Sequence, residues 1–101
     1  MPLAITVILE HESEITRIAS HEYPRLLFID DTSLAHLSTL DDCSYDIFAS
    51  SDMPQLIREL STVRSGLSAD DVPHIDKIID LCERCSGLPG STLAFTPFET
   101  V

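Results

Sequence analysis

The chain has no tryptophan, three glycines, three cysteines, and six basic residues against seventeen acidic ones. Each scarcity excludes something. Nucleic-acid binding needs lysine and arginine to neutralise phosphate, and no basic stripe exists here. Anionic membrane surfaces are disfavoured for the same reason. No apolar run approaches the length of a membrane-spanning helix. No glycine-rich phosphate loop, EF-hand calcium loop, HExxH zinc motif or Gly-x-Ser-x-Gly elbow is found. The cysteines are odd in number and follow an N-terminus with no basic region. They read as free thiols in a reducing cytoplasm.

What is present is acid. Net charge is −11, and from Leu26 to Ile57 six aspartates occur with no lysine or arginine. These are Asp30, Asp31, Asp41, Asp42, Asp46 and Asp52. Such a concentration opposes compaction by self-repulsion and draws cations or a basic partner at long range. The apolar fraction of 44% is too high for a disordered acidic tail and suits one globular domain spanning residues 1–101.

Apolar periodicity predicts the elements. Residues 3–9 read as a buried strand and His11 to Glu14 as a turn. Ile15 to Ala19 fits a short strand or one helical turn. Pro24 is excluded from a strand interior, and Arg25 to Asp30 then reads as a second strand. Residues 33–40 fit helix, 3₁₀ or strand. Tyr45 to Ala49 is a further strand. Ser51 or Asp52 starts a helix with Pro54 in its first turn, an apolar stripe at Leu56, Ile57, Leu60 and Val63, and an end at Gly66. Asp70 or Asp71 starts another, with Val72, Ile75, Ile78, Ile79 and Cys82 as its stripe and Gly87 as its end. Thr92 to Phe98 is a last strand, whose Pro97 places its end at a sheet edge. Strands segregated from helices imply an α+β fold: a small, mainly antiparallel sheet with two consecutive helices on one face.

Three constellations could carry chemistry. Cys82-Glu-Arg-Cys85 is a CxxC, but it lies in the last turn of a helix, where the dipole disfavours thiolate. A zinc site needs two more ligands, Cys43 and one of His36 or His74, brought together by the fold. The core reading of Cys82 is favoured. Asp30-Asp31 after an apolar run could hold magnesium, yet no phosphate loop accompanies it, and a solvated turn is favoured. His11, His21, His36 and His74 form no ligand motif and are expected at the surface. Phe28, Phe48 and Phe95 are expected in the core, and Tyr23 and Tyr45 beside the acids as possible anchors.

The sequence favours binding over catalysis, with no cofactor or metal. The leading expectation is a small acidic protein that neutralises a basic protein, with Asp30, Asp31, Asp41, Asp42, Tyr45, Asp46 and Asp52 as the binding patch. A negative surface accelerates encounter with a cationic partner and can mask the residues a nuclease uses to hold phosphate. In being short, single-domain, acidic and without catalytic motifs, the chain resembles bacterial immunity proteins against nuclease toxins. That likeness is one of type and carries no residue across. Two alternatives are an adaptor subunit docking through an exposed edge of the last strand, and a small metal-dependent enzyme using Asp30, Asp31 or the Cys82/Cys85 pair.

Overall fold

The computed structural model describes residues 4–27, 34–40 and 46–96. Four strands form one sheet in the order β2-β1-β4-β3. They are β1 (Ile5–His11), β2 (Glu14–Ser20), β3 (Asp46–Ala49) and β4 (Thr92–Thr96). Every pairing is antiparallel. The helices are α1 (Tyr23–Leu27), α2 (Met53–Ser65) and α3 (Val72–Ser86), with 3₁₀ turns at Leu37–Thr39 and Ser50–Asp52. The fold is α+β, as the segregation of strands and helices implies.

One face of the sheet carries the core. Ile5, Val7 and Leu9 of β1 and Leu93 and Phe95 of β4 alternate toward the helices. They meet Leu56, Leu60 and Val63 of α2 and Ile75, Ile78, Leu81, Cys82 and Cys85 of α3. Burying each large apolar side chain contributes about 2 kcal/mol relative to leaving it exposed. The two long helices are punctuated as the sequence predicts. Each has proline in its first turn, and they end at Gly66 and Gly87. Arg64 Nε donates to Asp76 Oδ1 at 2.6 Å, joining α2 to α3 at the surface.

The segment Ile15–Ala19 is strand, paired along its length with β1. The expected strand from Arg25 is overturned. Tyr23–Leu27 is helical, and Phe28 to Asp30 lie outside the described residues. The reason is spacing: Tyr23, Leu26 and Leu27 stand three and four residues apart, so all three bury on one helical face. Pro24 suits the first turn, where its missing N–H costs nothing. The Leu26 N–H then donates to Glu22 O at 3.2 Å. Tyr23 is 1% exposed, with its ring edge toward His74, and is no surface anchor.

The last strand is also not an edge. β4 lies between β1 and β3, with hydrogen-bonded neighbours on both sides. Four of its five residues are buried, which is what a central strand requires. Pro97 lies outside the described residues. The turn into β4 uses Pro89 and Gly90. Ser91 N–H donates to Leu88 O at 3.0 Å, and Gly90 has a φ of +86°, as in a type II turn.

The β1–β2 hairpin turns on Glu12 and Ser13, and Glu12 has a φ of +56°. A non-glycine residue there costs roughly 1–2 kcal/mol. Glu12→Gly removes that cost at the expense of greater freedom in the unfolded chain. It is expected to stabilise the protein by roughly 0.5–1 kcal/mol, read as a higher urea midpoint. A lower midpoint would show that the Glu12 side chain contributes more than its backbone strain costs.

Candidate functional site

The described part of the expected acidic patch lies at one edge of the sheet. Asp46 opens β3, and Asp52 closes the 3₁₀ turn that follows it. Asp30, Asp31, Asp41, Asp42 and Tyr45 lie outside the described residues. Asp52 occupies the N-cap position of α2 without capping it. Its Oδ2 instead accepts the Ala49 N–H at 3.0 Å. The aspartate thus closes off the end of β3 rather than the start of the helix.

A buried carboxylate organises this edge. Glu59 of α2 is 2% exposed. Its oxygens accept the His36 N–H at 2.9 and 3.1 Å and the Leu37 N–H at 2.9 Å. Gln55 Nε2 donates to it at 3.0 Å. Buried charge is costly unless its lone pairs are taken, and here they are taken by amide donors. Those donors start the 3₁₀ turn that carries Leu34 and Leu37 into the core. The turn resolves the helix-or-strand ambiguity of residues 33–40 for the described part, 34–40.

His36 is the hinge between this turn and the edge strand. Its imidazole stacks on Phe48 of β3 at 5.2 Å between centroids and 22° between planes. Nδ1 is 3.4 Å from Glu59 Oε2, and Nε2 is 3.5 Å from Asp52 Oδ1. His36 is therefore not the solvated surface histidine expected. Phe48 is half-buried and meets Phe95 edge-on at 5.8 Å between centroids. Sequence reading missed Glu59, although an acid three residues after Leu56 and one before Leu60 lies inside the apolar stripe of α2. That position was the available signal.

Other acids face solvent. Glu10, Glu12 and Glu14 gather at the tip of the β1–β2 hairpin, and Asp76, Asp80 and Glu83 recur along the exposed side of α3. The bases are partly committed within the molecule. Arg25 donates to both oxygens of Asp71 at 3.1 and 2.9 Å and also pairs with Glu22. The guanidinium holds the Asp71 carboxyl below the usual carboxylate range, and its two carboxylate partners push Arg25 the other way. Arg64 is held by Asp76. Among the described residues, Arg25 and Arg64 are thus held by carboxylates of the chain itself.

The thiols of Cys82 and Cys85 are free and fully buried. Burial pushes the Cys82 thiol up to about 12 and raises that of Cys85. The Ser91 hydroxyl donates to Cys85 O at 2.9 Å, which leaves the Cys85 thiol to donate to Ser91 Oγ at 3.1 Å. The pair therefore fastens the end of α3 to the start of β4. Among the described residues no group of three or more histidine, cysteine or acidic side chains is placed to hold a metal ion. No pocket opens among them either.

Two outcomes follow. Glu59→Leu strands the part-buried His36 amide and the buried Leu37 amide, and it is expected to cost about 2–4 kcal/mol in urea unfolding. A loss under about 0.5 kcal/mol would mean that water or another acceptor replaces the carboxylate. Cys82 and Cys85 are expected to resist thiol reagents at pH 8 in the native state and to react on unfolding, as mapped by mass spectrometry. Native labelling of either would contradict the packing described. Comparison with protein-family models finds no match, and comparisons with curated proteins and with solved structures find none either.

Proposed function

We propose that this chain is a small acidic binding protein that neutralises a basic protein partner. The observation that carries the reading is the excess of acid. The chain holds seventeen acids against six bases. Arg25 and Arg64 are already paired with the chain's own carboxylates. An acidic surface of this kind steers a cationic protein into contact and covers the side chains it would use to bind phosphate. Inhibition of a nuclease-type toxin, in the manner of a bacterial immunity protein, is the specific form proposed, with action in the cytoplasm. Asp46 and Asp52 are the described members of the interface. Asp30, Asp31, Asp41, Asp42 and Tyr45 are its proposed remainder.

A second reading rests on a different observation. Ile15 and Ile47 are large apolar residues exposed by 47% and 59%. By strand alternation both lie on the sheet face away from the helices. Thr6, Ile8, Ala94 and Thr96 on that face are already buried, so an adaptor subunit would hold only the exposed apolar side chains of the two outer strands. This replaces the exposed last-strand edge as the basis of the adaptor reading, since β4 is central.

Salt separates the two readings. The test is affinity capture from native extract at low salt, with a high-salt wash and identification of what elutes. The acidic-binder reading expects a basic protein in stoichiometric amount, released by salt, whose association rate falls about tenfold or more as ionic strength rises. A retained protein indifferent to salt would favour the adaptor. No retained protein at either salt would overturn the acidic-binder reading.

A further inference from the structure

We propose that Cys82 and Cys85 form a redox-sensitive latch, closed as thiols and released when a small-molecule disulfide oxidises the pair to an intrachain disulfide. The latch lies at the junction of α3 and β4 and does not depend on the acidic-binder reading.

The junction is built on Cys85. Its carbonyl accepts the Leu88 N–H at 3.1 Å and the Ser91 hydroxyl at 2.9 Å, and its thiol donates to Ser91 Oγ at 3.1 Å. The Ser91 N–H closes the same turn on Leu88 O at 3.0 Å. The next residue, Thr92, stands between Glu10 of β1 and Ala49 of β3. The last turn of α3 thus sets where the central strand begins. Cys82, Cys85 and Ser91 are all buried, so hydrogen bonds lost there are costly.

A disulfide conflicts with this turn. Helical residues three apart hold their Cβ atoms about 5–6 Å apart. A disulfide needs them about 3.5–4.5 Å apart. Joining the two sulfurs therefore draws Cys85 toward Cys82 and displaces the thiol and carbonyl that hold Ser91. The closed junction favours the dithiol, and the disulfide favours an open junction. A disulfide opposed by the fold is readily reduced again, which makes the latch reversible.

Burial holds both thiols protonated in the closed state. Reaction starts when the last helical turn frays and Cys85 ionises. Its thiolate attacks one sulfur of the small disulfide, and one small thiol leaves. The Cys82 thiolate then attacks the Cys85 sulfur of the mixed disulfide, and the second small thiol leaves. Two protein thiols are oxidised, the small disulfide is reduced to two thiols, and the two protons pass to the departing thiolates.

The test uses the full chain carrying Cys43→Ser, so that only this pair reacts. It is equilibrated with reduced and oxidised glutathione from both starting states, and the disulfide is mapped by mass spectrometry. The expected result is a Cys82–Cys85 disulfide that needs a buffer about tenfold or more oxidising than the same pair needs in denaturing urea. In the disulfide form the Leu88 and Ser91 amides exchange about tenfold or more faster, while Leu60 of α2 keeps its protection. Ser91→Ala shifts the native equilibrium severalfold toward the disulfide. Because that variant can disturb the start of β4, Cys85→Ser gives a second check: its amide exchange does not respond to oxidant. Equal buffer ratios in native conditions and in urea would overturn the latch, since the fold would then not distinguish the two forms. A disulfide form whose Leu88 and Ser91 amides exchange as in the reduced form would overturn it too. So would the absence of the disulfide at every ratio, from either starting state.

Discussion

The carboxylate of Glu59 is the contact on which the placement of β3 and of the turn at Leu37–Thr39 depends. It lies inside the apolar stripe of α2 and gathers the amides of His36 and Leu37 from residues more than twenty positions away. Without those amides it would be an uncompensated buried charge, and without it they would be orphaned donors. Each side makes the other tolerable. The turn so fixed delivers Leu34 and Leu37 to the core and sets the His36 ring on Phe48. Phe48 belongs to β3, and Asp52 ties down the last amide of that strand. A single carboxylate in the interior thus helps position the strand that begins at Asp46 and leads into Asp52.

The rest of the molecule supplies the rigidity this requires. The central strands β1 and β4 are buried on the helix side by α2 and α3. Ser91 and Cys85 bind the end of α3 to the start of β4. Arg25 reaches from α1 to Asp71 at the entrance of α3, and Arg64 reaches from α2 to Asp76. These exposed pairs hold their carboxylates locally. They also use cations that could otherwise offset the acidic surface. Self-repulsion in a chain of net charge −11 is opposed chiefly by the apolar core, since exposed ion pairs contribute little.

Much of this was legible in the sequence where the determinants are local. The apolar spacing of α2 and α3, their early prolines and their terminal glycines are short-range signals, and both helices form as read. Cys82 as a core residue followed from its place on the α3 stripe. The stretch Tyr23–Leu27 was not legible, because a short apolar run fits a buried strand and a helical face equally well. The central position of β4 depends on pairing with β1, more than eighty residues earlier in the chain, which spacing does not encode. The burial of Glu59 could be read from its place inside the α2 stripe, but its partners could not, because they are distant amides with no sequence signature. Of the expected acidic patch, the two described members, Asp46 and Asp52, flank β3, a placement that composition alone could not supply.

Amide hydrogen exchange at His36 and Leu37 in the unmodified chain tests the account most directly. If the Glu59 carboxylate holds the turn, both amides are protected to about the degree of core α2 amides such as Leu60, because they open only when the helix and turn separate. Exchange at unprotected rates while α2 stays protected would contradict the account. The turn would then be loosely attached, and Glu59 would not be what positions β3.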